Sequence, residues 1–260
     1  MRFKLTLHID KQVRNNTIPI NYQYECCAVI YKIFSRSNEE YAFWLHKNGY
    51  TADKKQFKLF TFSRFFIQEY KVNNDLLNIF SDTITWYISF LPEVSTCEFI
   101  KGIFKDQEFD IGNQKAKIKC RVQNIEMIPS PVFSDTMTFK TISPMCLTLK
   151  RDNGTDEYIS PSHSLSIEII KKNLYDKYKS YKGNIFNENG FPFNFNVLGK
   201  EKSSLITIKE GMPQESKIRG YNCKFQITTH PELMNIMYQA GIGSKNSMGF
   251  GMVEEWKENE

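Results

Sequence analysis

Alternation of apolar and polar residues marks the beginning of the chain as a strand. From Phe3 to Ile9 the odd-numbered residues are apolar and the even-numbered residues are polar. Because successive side chains of a strand point to opposite faces, this pattern predicts a half-buried strand. The period then changes to that of a helix, since apolar residues recur every three or four positions from Cys26 to Ile33.

The next segments complete one supersecondary unit. Ser37 and Glu40 have the spacing of a capping box, which predicts a short second helix beginning near Asn38. Strand patterns follow in KLFTFSRF and TITWYISF, a helix is predicted from about Pro92, and apolar residues alternate with Lys115, Lys117, Lys119 and Arg121. The order β-α-β-β-α-β is that of a ferredoxin-like fold.

A second unit of the same order follows a linker. The segment IPSPVFSD, residues 128–135, contains two prolines and predicts a connection without regular structure. After it we expect a strand ending at CLTLK (146–150), a long helix from about Ser164 to Tyr181, two or three strands, a helix capped by Thr229, and a terminal strand in GFGMVEEW. The sequence therefore predicts an α+β chain of two tandem ferredoxin-like, RRM-like domains, residues 1–127 and 136–260.

Composition narrows the class of protein only slightly. Hydrophobic residues make up 41% and charged residues 24%, which is typical of a folded globular chain. The net charge of +5 does not by itself establish a nucleic-acid partner. No signal peptide or membrane span is predicted, and the six cysteines have neither CxxC nor zinc-ligand spacing, so we expect reduced thiols and a cytoplasmic location.

A glycine-rich segment, GIGSKNSMGFG, lies between the predicted last helix and last strand. Its four glycines and the three polar residues at its crown are Gly241, Gly243, Gly249, Gly251, Lys245, Asn246 and Ser247. Glycines allow backbone N–H groups to approach phosphate oxygens, and a lysine adds positive charge, so phosphate is the expected ligand. The segment lacks the pattern of a P-loop or a dinucleotide fingerprint, and MGFGMV has Met248 where an RRM motif has a basic residue. A glycine-rich hairpin without a ligand is the alternative.

The combination of motifs resembles the repeat-associated RNA-binding proteins of CRISPR systems, the RAMP superfamily, and within it the Cas6 endoribonucleases. The resemblance rests on MRFKL at the N-terminus, PINYQYECCAVIY, LHKNGYTADKKQFKLFTFS, TISP and the C-terminal GIGSKNSMGFGMV. It covers nearly the whole chain. It implies metal-independent cleavage of CRISPR repeat RNA in precursor transcripts, which would leave a 2′,3′-cyclic phosphate and a 5′-OH and release guide RNAs.

The same resemblance implies a catalytic group of Tyr31, His46 and Lys58. The segment between His46 and Lys58 is longer than in the family pattern, so Lys54 or Lys55 is an alternative to Lys58, and these two lysines are also candidate RNA contacts. Histidine and tyrosine suit proton transfer, and lysine suits stabilisation of a charged phosphate. A position near a helix C-terminus favours a charged His46 and hence an acid role, although sequence does not assign the acid and the base.

Each of these residues also has an ordinary structural interpretation. His46 would be a surface residue at a helix end, Tyr31 a residue at the edge of the core, and Lys58 a solvated strand residue. A non-catalytic RNA-binding scaffold of the same superfamily is therefore the alternative function, followed by a general RNA-binding protein. No cofactor is expected, and whether a CRISPR effector complex or a second copy of the chain is a further partner is left open by the sequence.

Overall fold

The computed structural model describes residues 1–152 and 154–257. The elements of its first half, in chain order, are β1 (Arg2–Ile9), β2 (Thr17–Pro19), α1 (Gln23–Ser37), α2 (Glu39–Lys47), β3 (Tyr50–Ala52), β4 (Lys55–Phe57), β5 (Phe60–Phe62), β6 (Tyr70–Asn73), β7 (Leu76–Ile79), β8 (Thr83–Phe90), α3 (Glu93–Lys105), β9 (Glu108–Gly112) and β10 (Lys117–Ile128).

The main sheet of this half is antiparallel and has the strand order β5-β8-β1-β10-β9. Without the edge strand β9, this is the order of a ferredoxin-like unit in which β1, β5, β8 and β10 are the four strands and α1 and α3 the two helices. The additional strands form two small sheets, β2-β7-β6 and β3-β4.

Alternation along the strands places the core of this half between the sheet and its helices. Leu5, Leu7 and Ile9 of β1 and Trp86 and Phe90 of β8 are buried. Burial of each of these side chains contributes about 2 kcal/mol of favourable transfer free energy. The alternation that predicted β1 therefore also identified the face that α1 and α3 cover.

The second half repeats the arrangement with a hairpin added. Its elements are β11 (Thr136–Thr141), β12 (Leu147–Lys150), β13 (Asp156–Ile159), α4 (Ser166–Lys182), β14 (Asn194–Ile208), β15 (Ser216–Thr228), α5 (Pro231–Ala240), a 3-10 turn (Asn246–Met248) and β16 (Val253–Glu255). The sheet has the order β14-β15-β11-β16, which is again ferredoxin-like. The predicted fold class, with two tandem ferredoxin-like units, is confirmed.

Several details of the sequence prediction were wrong. The segment CLTLK is not the first strand of the second sheet, because that strand is β11, and β12 instead pairs with β13 in a separate hairpin. Ser37 does not cap α2: its hydroxyl donates to Glu98, and the side chain of Asn38 accepts from the Tyr41 N–H instead. Likewise α5 is capped by His230, whose Nδ1 accepts from the Glu232 N–H.

The two halves contact each other through buried polar groups as well as apolar side chains. The guanidinium of Arg2, which is 2% exposed, donates to the carbonyl oxygens of Val253 (2.7 Å) and Tyr238 (2.6 Å). The Ser89 hydroxyl donates to the Gln239 side chain at 2.7 Å. The proposed division between the halves at residues 128–135 stays a prediction. Among the described residues, no helix has both the length and the apolar character required to cross a membrane.

Candidate active site

Two helices of the first half bring Tyr31 and His46 together. Tyr31 lies in α1 and His46 in the last turn of α2, and their rings meet edge to face with centroids 5.1 Å apart. Tyr31 is partly buried and also packs against Phe60, whereas His46 is exposed. Burial raises the pKa of the Tyr31 phenol well above its ordinary value, so the phenol keeps its proton at any working pH.

Lys58 completes the group from the chain just before β5. Its Nζ donates to the backbone carbonyl oxygen of His46 at 2.7 Å, and its partial burial lowers its pKa. Gly49 makes this approach possible, since a Cβ there would lie 2.5 Å from the Phe57 carbonyl oxygen and 3.0 Å from Lys58 Cδ. The three residues that the resemblance singled out are thus neighbours in space, while their catalytic roles stay a prediction.

The two alternative lysines lie on the β3-β4 hairpin and are exposed. Lys55 forms an ion pair with Asp176 of α4 at 2.6 Å, and the adjacent Asp53 pairs with Lys179 of the same helix at 2.6 Å. These contacts tie the hairpin to the second half. Lys58 is therefore a better candidate than Lys55 for the lysine that acts with Tyr31 and His46. The Lys58 ammonium contacts the His46 carbonyl oxygen, whereas that of Lys55 pairs with Asp176.

A basic cleft of about 460 Å³ extends from Lys58 to the glycine-rich segment. The lysines that line it are Lys55, Lys58, Lys150, Lys177 and Lys245. In the described part of its lining the acidic residue is Asp156, which pairs with Lys150 at 2.8 Å. The cleft therefore carries an excess of positive charge, which suits a polyanionic ligand.

The glycines of the loop have conformations that other residues rarely adopt. Gly241, Gly243, Gly249 and Gly251 all have positive φ, between 72° and 85°. A Cβ on Gly249 would lie 2.4 Å from the Phe62 ring, and one on Gly251 would lie 1.9 Å from the Ile242 carbonyl oxygen. The glycines therefore allow the loop to fold on itself and to lie directly against β5 of the first half.

The three polar residues at the crown differ in their surroundings. Both side-chain N–H groups of Asn246 are used inside the loop, where Nδ2 donates to the carbonyl oxygens of Ile242 (3.1 Å) and Phe250 (3.0 Å). All three residues line the cleft. Asn246 therefore shapes the loop, and the predicted RNA contacts of the loop residues stay a prediction.

Lys177 was missed by the sequence analysis. It is 1% exposed, and its Nζ donates to the carbonyl oxygens of Gly241 (2.6 Å) and Gly243 (3.0 Å). Burial lowers its pKa to about 7. The spacing could have revealed it, because Lys177 follows Ile170 and Leu174 on the buried face of α4. A lysine on an apolar helix face thus supports the glycine-rich loop.

Comparison with known proteins agrees with this architecture. The family model described as "CRISPR-associated protein Cas6, N-terminal" matches residues 17–121, and the one described as "CRISPR associated protein Cas6, C-terminal" matches residues 128–255. The chain belongs to the Cas6 family. Its similarity to curated Cas6 proteins extends over nearly the full length of this chain and of each relative.

Three relatives illustrate this similarity. The CRISPR-associated endoribonuclease Cas6 1 of Methanocaldococcus jannaschii is 29% identical over 258 residues, covering 97% of this chain and 93% of the relative. The CRISPR-associated endoribonuclease Cas6 of Pyrococcus furiosus is 27% identical over 256 residues, covering 98% and 89%. A solved structure described as a Cas6-related gene product from Pyrococcus furiosus superposes with a TM-score of 0.83 at 25% identity, covering 100% of this chain and 99% of that one.

Proposed function

We propose that this Cas6 family chain is an endoribonuclease that cuts CRISPR repeat RNA in precursor transcripts and so releases guide RNAs. The observation that carries the proposal is the meeting of Tyr31, His46 and Lys58, of which Lys58 lines a basic cleft that extends to the glycine-rich loop. The curated relatives named above are endoribonucleases. The activity belongs in the cytoplasm, where transcripts are made and free thiols such as those of this chain persist.

The reaction is a transfer within one RNA strand. The 2′-oxygen loses its proton to a base and forms a bond to the adjacent phosphorus, the bond from phosphorus to the 5′-oxygen breaks, and that oxygen receives a proton from an acid. The products are a 2′,3′-cyclic phosphate and a 5′-OH. Two proton-transfer groups and one cation supply what this step needs, so it requires no metal ion.

The geometry favours His46 as the base and Tyr31 as the acid. Because burial raises the pKa of the Tyr31 phenol, Tyr31 does not supply a phenolate base at neutral pH, and it is assigned the acid role instead. The Lys58 ammonium donates to the His46 carbonyl oxygen and so offsets the negative end of the α2 dipole beside the imidazole. Lys58 is then placed to stabilise the negative charge that develops on the phosphate.

The cleft supplies the binding surface for the RNA backbone. Phosphate contacts from Lys245 and from the N–H groups of the glycine-rich loop fix the position of the strand, while base contacts give sequence preference. In this arrangement the predicted domain 1–127 provides the catalytic group and the predicted domain 136–260 provides the loop. Lys54 and Lys55, on the hairpin beside the cleft, are the expected contacts for the flanking phosphates.

The test is incubation of the protein with end-labelled RNA copies of the repeat from the genome that encodes it, in buffer containing EDTA. A shuffled RNA of the same composition is the control. We expect cleavage of the repeat alone, with cyclic phosphate and 5′-OH ends. Tight binding of the repeat without cleavage would instead support a scaffold function, and equal binding of the shuffled RNA would support a general RNA-binding protein.

A further inference from the structure

A second cavity lies apart from the cleft beside Lys58. It has a volume of about 820 Å³ and is lined by residues of both halves: the start of α1, the segment between β5 and β7, and Ser204, Leu205 and Ile206 of β14. Gln23, which lines it, and Tyr31 of the catalytic group lie in the same helix eight residues apart. The rise of a helix makes this about 12 Å. A strand held at the catalytic group can therefore reach the cavity.

Gln23 has an unused hydrogen-bond acceptor at this cavity. The residue is 5% exposed, and its Oε1 has no partner among the described residues. A buried amide oxygen without a donor costs free energy, so the unpaired oxygen of a residue that lines a cavity points to a donor that is supplied from outside once the amide turns toward the cavity. The terminal torsion of glutamine is broad, which allows the amide to turn toward the cavity at little cost.

The remainder of the lining suits a flat aromatic ring attached to a phosphate chain. Phe66 is 46% exposed and Tyr70 is 55% exposed, so both rings are available for stacking. The guanidinium of Arg64 donates to the neutral Ser204 hydroxyl at 3.0 Å, and the described lining contains no carboxylate. A nucleotide matches all three features, since its base stacks on rings and its phosphate is attracted by arginine.

We propose that this cavity binds one unpaired adenine base of the RNA and that Gln23 recognises it. Adenine uses both ends of the amide, because its exocyclic amine donates to Oε1 while its N7 accepts from Nε2. The inference rests on the proposed function, since it assigns a base of the same RNA that the catalytic group cuts. It makes Gln23 a specificity residue separate from the catalytic group.

The test uses repeat RNAs that bind without being cut, because a 2′-deoxy nucleotide precedes the cleavage site. In each RNA of the set one adenosine is replaced by purine ribonucleoside, which lacks the exocyclic amine. Dissociation constants are measured for the wild type and for Gln23→Ala. We expect one position at which loss of the amine weakens wild-type binding about tenfold, whereas Gln23→Ala binds that RNA and the unmodified RNA equally weakly.

Three further variants separate recognition from folding. Gln23→Glu retains an acceptor oxygen and should retain the preference for the amine at that position, although its charge lowers affinity for every RNA. Gln12→Ala, a change at an exposed glutamine outside the cavity, should bind as the wild type does. Phe66→Ala should weaken the binding of every RNA about tenfold. It should leave the preference for the amine intact, because stacking does not depend on the amine.

Two results would overturn the inference. In the first, the wild type binds every purine-substituted RNA as tightly as the unmodified RNA. In the second, Gln23→Ala still prefers the RNA with the exocyclic amine by the same factor as the wild type. The unmodified all-ribose repeat is incubated with the protein in parallel. If it is cut while no position is sensitive to the amine, the adenine site is wrong and the nuclease function stands; if it is neither bound nor cut, both proposals fail.

Discussion

Removal of the imidazole tests the proposed role of His46 directly. His46→Ala should slow cleavage of repeat RNA by roughly 100-fold to 10,000-fold, because proton transfer by a positioned group contributes about that much. Binding of the RNA should survive, since His46 is a single exposed side chain. Single-turnover cleavage and a binding titration measure the two effects. His8→Ala, at an exposed position of β1, is the matched control, and unchanged cleavage by His46→Ala would remove that residue from the mechanism.

A pair of variants decides which lysine acts with Tyr31 and His46. Lys58→Met should lower the cleavage rate by about 100-fold or more, which is typical for loss of one group that stabilises a developing oxyanion. Lys55→Met should have a small effect on the rate, because Lys55 is turned toward Asp176. The reverse ranking would assign the role to Lys55 and would leave the contact between Lys58 and His46 as a structural one.

The pH dependence of cleavage follows from the same contacts. At higher pH the rate falls as Lys58 loses its charge, and this begins at a lower pH than for a solvated lysine because burial lowers the Lys58 pKa. Lys58→Arg should move the alkaline limb upward, since guanidinium stays charged. Single-turnover rates across pH, corrected for hydrolysis without protein, test the position of this limb in the wild type and in Lys58→Arg.

The glycine-rich loop should tolerate a methyl group far less well than a solvent-facing turn does. Gly251→Ala places a Cβ against the Ile242 carbonyl oxygen at a residue with positive φ, so it should destabilise the fold by about 3 kcal/mol and weaken RNA binding. Gly190→Ala, which has a similar φ and open space around it, should cost about 1 kcal/mol and leave binding unchanged. Urea unfolding and RNA titration measure these effects, and equal losses in the two variants would contradict the packed loop.

Local patterns predicted most elements but not their exact ends. β1 and β8 followed from alternation, because one face of each strand is buried and the other is not. The cap positions were wrong at Ser37 and Thr229, since capping depends on the backbone angles of one residue and not on spacing alone. CLTLK has the apolar character of a central strand, yet β12 lies in a hairpin, and its partner depends on contacts distant in sequence.

The sequence predicted the repetition of one unit, but not how the two units meet. The pattern that predicted β1 begins at Phe3 and carried no information about Arg2, which is buried because its guanidinium donates to two carbonyl groups of the second half. Lys177 is buried for a similar reason beneath the glycine-rich loop. Both depend on atoms more than 60 residues away, which no local pattern contains. The proposed catalytic trio of Tyr31, His46 and Lys58, by contrast, came from the family resemblance alone.

The central claim is that the RNA's own 2′-hydroxyl attacks the phosphate at the site formed by Tyr31, His46 and Lys58. The most direct measurement compares cleavage of all-ribose repeat RNA with that of an RNA carrying one 2′-deoxy nucleotide immediately before the cut, both in EDTA. We expect the first to be cut and the second to be bound with equal affinity and left intact. Cleavage of the deoxy-substituted RNA at the same phosphate would contradict this account.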